Sequence, residues 1–271
     1  MRETKPLFEE LTVERSKRIT ALLYGVQKMG KTTLAASSLF VPEMRDVLIL
    51  DAERSRDAVS HFQAEDGTRL KFMPVNGFDD LAKVTDAFRR NIEEVQGIKT
   101  VIVDTLSAIK QNYLVEQAMG DRGSSKTEHR TELSDFMKVT IVISNFINAL
   151  MAHDDLNIIL ISHQREMDSG MVRPNLNDAL RQAVEQNMSE MWYLHMNERT
   201  GDRVLEVLPV RSNSYVTVGA RNPVFRENLE RYAMAHAPEG QDAESWKGKL
   251  LVPSDNNIMR VLYDLHGENN A

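Results

Sequence analysis

The chain has 271 residues, a formal net charge of −7 and 42% hydrophobic residues, enough apolar content for one large α/β core with a tail or for two small domains. The acidic balance argues against a generally basic nucleic-acid coat protein, although local basic loops remain open. The absence of cysteine excludes a disulfide scaffold, a thiolate zinc site and a cysteine nucleophile, and it fits a reducing, cytoplasmic setting. No run approaches the roughly 20 apolar residues of a membrane span. The start, "MRETKPLFEELTVERSKR", lacks the apolar core of a signal peptide. The expectation is a soluble protein with no membrane partner.

"ITALLYG", residues 19–25, is a short apolar run ending in glycine, and "KTTLAASSLF" after it has the apolar spacing of a helix, which gives strand, loop, helix. "DVLILDAE", 46–53, reads as a buried strand ending in acids, and "LKFMPV", 70–75, as a weaker strand. Leu81, Val84, Phe88 and Ile92 recur at helical spacing in "DDLAKVTDAFRRNIEEVQG", with Gly97 as the stop. "KTVIVDT", 99–105, is a continuous apolar strand ending on an aspartate. The polar stretch 119–132 reads as a mobile loop, followed by a long helix over about 133–153 and the buried strand "LNIILISHQ". A second polar loop over 165–178 precedes "EMWYLHM" and "RVLEVLPV", a hairpin turning at "NERTGD", and "YVTV" reads as the last sheet element. Beyond Asn222 the chain is charged and sparsely periodic, with a break at Pro238-Glu239-Gly240. No internal repeat is evident. Alternating strands and helices predict a mostly parallel twisted sheet covered on both faces, with the chemistry at the carboxyl ends of its strands.

The pattern G-x-x-x-x-G-K-[ST] is matched by Gly25, Gly30, Lys31 and Thr32 between a predicted strand and a predicted helix. Glycines let the backbone approach a phosphate, and the helix start offers free N–H groups. Gly25, Val26, Gln27, Lys28, Met29, Gly30, Lys31, Thr32 and Thr33 are therefore the expected ATP-binding residues, with Lys31 on the β and γ phosphates and the Thr32 hydroxyl on Mg²⁺. Asp104, at a strand end, is where the second metal-positioning acid belongs, acting through a Mg²⁺-bound water. Glu53, just past its strand and two residues after Asp51, is the leading group to activate water; the competing reading is a solvated acid paired with Arg54 or Arg56. His163 and Gln164 in "ISHQRE" are placed to sense a γ-phosphate. Lys28 offers a second cation, the alternative being a side chain in solvent.

The order of these pieces resembles the RecA family. "VLILDAERSRDAV" is similar to the segment ending in that family's catalytic glutamate, "TVIVDTLSAI" to its metal-positioning strand, and "IILISHQRE" to the strand ending in its polar sensor, with Gln164 at the matching place. "VTVGARNP" is similar to the RecA and RadA motif whose basic residue reaches a neighbouring subunit's ATP site, which gives that role to Arg221, although Ala220 stands where a lysine often precedes it. The likeness runs from about 18 to 225. The small size and the "GxxKxGKT" loop look most like compact RecA-like ATPases of bacteriophages. That resemblance implies an N-terminal extension over 1–17, a RecA-like core over 18–225 with an antiparallel hairpin extension, and a partly helical tail over 226–271. It also implies ATP and Mg²⁺ as ligands, single-stranded DNA binding with strand annealing, a homo-oligomeric ring or filament, a single-strand-binding protein as partner and, for a phage protein, the host cytoplasm.

A single-strand binder needs cations for phosphates and rings or arginines for stacking. Arg122, Lys126, His129 and Arg130 in the first polar loop and Arg165 and Arg173 in the second supply cations, and neither loop supplies an aromatic ring. The seven histidines show no spacing suited to a transition metal. Two other readings stay open: a phosphotransferase such as a nucleotide or metabolite kinase, and an ATP-dependent switch or loader acting on a protein partner.

Overall fold

A computed structural model describes residues 17–120, 133–210, 213–254 and 258–267. Strand β1 (Thr20–Gly25) and helix α1 (Lys31–Ala36) flank the glycine-bounded loop. Helix α1 tightens at once into a 3-10 turn over Ser37–Phe40, where the Ser37 and Ser38 hydroxyls donate back to the carbonyls of Leu34 and Ala35. Strands β2 (Val47–Asp51) and β3 (Lys71–Pro74) follow. The single helix expected over 79–97 is two. Helix α2 (Phe78–Arg90) ends on Asn91, whose φ of 47° places it in the left-handed region that asparagine tolerates, and α3 (Glu93–Gln96) restarts before Gly97.

Strand β4 (Thr100–Asp104) runs into α4 (Leu106–Gly120), which the sequence reading passed over. Its signal was present, since Leu106, Ile109 and Tyr113 share one helical face and are buried. Helix α5 (Leu133–Met151) and strand β5 (Asn157–Glu166) come next. By length and composition α5 is apolar enough to cross a membrane, yet Val139, Ile143, Phe146, Ile147 and Leu150 are buried in the core.

The polar stretch 165–178, expected as a loop, is instead a hairpin followed by the start of a helix. Strand β5 continues to Glu166 and pairs antiparallel with β6 (Val172–Pro174), with Arg165 opposite Arg173, and helix α6 (Asp178–Asn187) follows. Polarity misled the reading because this short hairpin buries only Val172 and Pro174, Val172 in a small cluster with Tyr24, Tyr193 and Val216, too few apolar positions to show a strand period. Strands β7 (Glu190–Met196) and β8 (Arg203–Glu206) form the expected hairpin. "YVTV" contributes only the isolated bridge of Val216 to Val172, and β9 is the short Gly219–Ala220. The last sheet element lies later, after α7 (Pro223–Ala235) and α8 (Ala243–Trp246), in β10 (Lys249–Leu251), followed by α9 (Met259–Leu265).

These strands form one mixed sheet of order β10-β8-β7-β1-β5-β4-β2-β3, with β6 on β5 and β9 on β7. Strands β7, β1, β5, β4, β2 and β3 are parallel, and β8 and β10 add antiparallel strands at one edge. Side chains alternate strictly: Ala21, Leu23, Ile49, Ile102, Ile161 and Leu194 enter one core with α1, and Leu22, Leu50, Val101, Val103 and Leu160 enter the other with α2, α4 and α5. The fold is thus the expected α/β sheet flanked by helices.

The described residues of the expected tail, 226–254 and 258–267, pack on the core. Strand β10 pairs with β8, and Leu229, Met259 and Leu262 are fully buried in the same core as α1. Underneath, His266 stacks on Phe225 at 4.0 Å, and its Nδ1 faces the Leu262 carbonyl at 2.7 Å while Nε2 faces the buried Glu190 carboxylate. Trp192 donates to the other Glu190 oxygen at 2.8 Å. Both ring nitrogens face acceptors, an arrangement that suits the imidazolium.

Burial opposes that charge, but the Glu190 carboxylate and the hydrogen bonds outweigh it and hold His266 above its ordinary value. A raised folded value contributes stability below the unfolded value of about 6.5, and that contribution is lost as pH rises through the folded value. The wild-type melting temperature is therefore expected to fall with rising pH more steeply than that of His266→Gln, with the variant about 3 kcal/mol less stable at pH 6 because the buried Glu190 charge loses its cationic partner and keeps only neutral donors. Parallel melting curves across this range would show that the pair does not store the charge.

Candidate active site

The site lies at the carboxyl ends of β1, β5, β4 and β2. Gly25 pairs with His163 of β5 on one side and Leu194 of β7 on the other. A Cβ at Gly25 would lie 2.1 Å from the Leu194 carbonyl oxygen, so glycine is required here by the neighbouring strand. Lys28 and Gly30 take left-handed backbones, with φ of 62° and 86°, and these turn the loop into the first turn of α1, where the Leu34 N–H bonds to the Gly30 carbonyl at 2.8 Å.

Lys31 is 5% exposed. Its Nζ donates to the carbonyls of Gly25 at 3.1 Å and Val26 at 2.7 Å. Burial lowers its pKa, opposed by the carboxylates of Asp104 and Glu53. The Thr32 hydroxyl donates to Asp104 Oδ2 at 2.8 Å. Ser55 donates to the same oxygen. Burial pushes the Asp104 carboxyl above its ordinary range; the two hydroxyl donors oppose this, and the charges of Glu53 and Asp51 add to it.

Asp51 and Asp104 are register partners on β2 and β4. Asp51 Oδ1 accepts the backbone N–H of Glu53 at 3.2 Å and of Ser55 at 3.0 Å, an Asx-type turn through Arg54, whose φ is 59°. The turn brings Glu53 to β4 and β5: its Oε1 accepts from the Thr105 hydroxyl at 2.8 Å and lies 2.6 Å from His163 Nε2. The His163 hydrogen bond is the largest influence holding the Glu53 carboxyl below its ordinary value, against the effect of burial and with help from Thr105.

Lys31, Thr32, Asp104, Glu53 and His163 are thereby brought together. Thr33 is half-buried on α1, Met29 packs against the core, and Val26, Gln27 and Lys28 are exposed at the loop tip. Gln164 points to the opposite face of the sheet from His163, and its Oε1 accepts from Tyr193 at 3.1 Å. Arg221 lies at the other end of β7, where Ala220 pairs with Glu190, and its guanidinium caps α6 by donating to the carbonyls of Gln186 at 2.9 Å and Glu185 at 2.6 Å. Arg165 and Arg173 face each other across the β5–β6 hairpin beside Lys110. Arg122, Lys126, His129 and Arg130 lie outside the described residues. The sequence reading missed Ser55 and Thr105. No motif marks them, because their roles arise only where β2 and β4 become neighbours.

Residues 17–219 match the family model described as the AAA domain. The chain belongs to the AAA domain family. It is similar to the SPbeta prophage-derived uncharacterized protein YorG of Bacillus subtilis (strain 168), with 23% identity over 265 residues, spanning 92% of this chain and 72% of that protein. Among solved structures it is similar to the RadB recombinase, with a TM-score of 0.43, 16% identity, and coverage of 72% of this chain and 82% of that one.

The oxygen donor set of Thr32 and Asp104 fits Mg²⁺, a hard cation held by one or two protein oxygens together with phosphates. Asp51 is the organiser that this AAA domain needs to present Glu53 and Ser55. Asp51→Ala should destabilise the protein by about 1–3 kcal/mol in urea unfolding, because two turn N–H groups lose their acceptor. Asp51→Asn keeps the Oδ1 acceptor and should recover most of that loss; equal destabilisation by both variants would assign the effect to charge and not to the turn.

Proposed function

We propose that this AAA domain protein is a Mg²⁺-dependent, RecA-like ATPase that binds single-stranded DNA and promotes strand annealing or recombination, acting as a homo-oligomer beside a single-strand-binding protein. The observation that carries the catalytic part is the placement of Glu53. A carboxylate held by Thr105 and His163, within electrostatic reach of Lys31, is a water-activating base beside a phosphate loop. That arrangement favours hydrolysis over transfer to a small acceptor.

In this reading the loop N–H groups and Lys31 hold the β and γ phosphates. Thr32 and Asp104 would hold the metal ion, which when bound supplies charge neutralisation on the phosphates. Glu53 takes a proton from water as the water oxygen bonds to the γ-phosphorus and the bond to the β–γ bridging oxygen breaks, leaving ADP and phosphate. Lys28, at the loop tip, is a second cation for this charge, and Arg221 would serve a neighbouring subunit's site. Support for the DNA part comes from Arg165 and Arg173 on the β5–β6 hairpin and from Lys110 on the neighbouring α4, basic groups at the same end of the sheet. The prophage origin of the Bacillus relative agrees with a phage-encoded protein.

Steady-state ATP hydrolysis with and without single-stranded DNA tests the whole reading, with stimulation expected. Lys31→Ala should lose nucleotide binding in a fluorescent-nucleotide titration. Glu53→Gln should keep nucleotide binding and lose at least about 10²-fold in kcat, the scale of a general base. Wild-type turnover in Glu53→Gln removes the base assignment, and unchanged turnover with no DNA retention at low salt removes the DNA assignment.

A further inference from the structure

We infer that His163 is a positioning residue for Glu53: together with Thr105 it ties one carboxylate oxygen, so that the other oxygen is the one presented to water. The inference rests on the ATPase reading above and adds to it a residue, an atom and a direction.

Strand register places His163 level with Gly25. Alternation along β5 sets its side chain on the same sheet face as Ile159 and Ile161, which pack in the core with α1. The strand end is anchored, since the His163 N–H donates to the Ser107 hydroxyl at 3.1 Å and Ser107 pairs with Ser162 at 3.0 Å. The ring is 17% exposed and its Nε2 sits 2.6 Å from Glu53 Oε1. Nδ1 is buried with no hydrogen-bond partner among the described residues.

That asymmetry assigns the tautomer. A hydrogen on Nδ1 would leave a buried donor unsatisfied at a cost of about 1–3 kcal/mol, whereas a hydrogen on Nε2 is donated to Glu53. Oε1 then accepts from both Nε2 and the Thr105 hydroxyl at 2.8 Å. Oε2 carries neither of these bonds, on a side chain 31% exposed. A carboxylate so restrained keeps one lone-pair direction open and loses rotational freedom, which is what a base must do to meet a water in line with a phosphorus. Lys31 on α1, Asp51 on β2 and Asp104 on β4 are further charged groups of this cluster. The hydrogen bond at Nε2 is made with Glu53.

The test uses the full chain. His163→Ala should lower kcat by about 10–100-fold, the cost of a misplaced catalytic group, with KM for ATP changed less than about threefold. The acid limb of its kcat–pH profile should move to higher pH, because the hydrogen bond that depresses Glu53 is gone. His163→Gln, which keeps an N–H donor near the Nε2 position, should restore most of the rate. In a Glu53→Gln background His163→Ala should cost nothing further. In nucleotide-free protein, ¹⁵N imidazole spectra should show the Nε2–H tautomer for His163 in the wild type and lose it in Glu53→Ala.

A wild-type rate and pH profile in His163→Ala, or an equal further loss in the Glu53→Gln background, overturns the inference. An Nδ1–H tautomer in the wild type does the same. Absence of ATPase activity from the wild type would instead overturn the proposed function, and the imidazole spectra would then decide by themselves whether His163 holds Glu53.

Discussion

Strand β1 is hydrogen-bonded on both sides, to β5 and to β7, and the site depends on how closely those neighbours approach its end. At Gly25 the Leu194 carbonyl occupies the space that a side chain would need. The chain must leave the sheet there, and a residue that can turn without steric cost must do it. Because β5 separates β1 from β4, the turn carries α1 across β5, and Thr32 reaches Asp104 two strands away at 2.8 Å. The phosphate loop and its acid are partners through the sheet order, not through sequence proximity.

Around that frame the charges are graded by burial. Lys31 and Asp104 are nearly inaccessible, and each is shifted toward its neutral form by loss of solvent. Glu53 is more open and is shifted the other way by donated hydrogen bonds. Groups that would hold phosphate and metal therefore sit dry and destabilised, ready for a ligand that supplies their missing counter-charge. The group that would handle a proton remains ionised and in reach of water. A site of this kind costs stability, and the large apolar cores on both sheet faces offset it.

The C-terminal elements belong to the same balance. Strand β10 extends the sheet beyond β8, and α9 closes the core that α1 enters. His266 then ties the end of α9 to Glu190, the first residue of β7. Strand β7 is the one whose Leu194 carbonyl confines Gly25, so residues more than two hundred positions apart hold the two ends of one strand. Through this pair and the stacking of His266 on Phe225, α9, α7 and β7 meet at one point.

The sequence by itself determined the elements whose signals are local. Apolar runs named β1, β2, β4 and β5, the glycine-lysine-threonine spacing named the loop, and strand-terminal acids named Asp51, Glu53 and Asp104. Local periodicity carries this information because a strand buried on both faces must be apolar throughout and a phosphate loop must have its glycines. What the tertiary structure decided is everything that depends on which element lies beside which: His163 and not Gln164 on the face of Glu53, Thr105 and Ser55 as donors, the Arg221 guanidinium against the end of α6, and α9 inside the core. A one-residue step along β5 exchanges sheet faces, and only the register with β1 says which face holds the loop. Polar residues of the β5–β6 hairpin and the sparse C-terminal segment likewise gain their structure from neighbours, where composition alone has nothing to distinguish a paired strand from a loop.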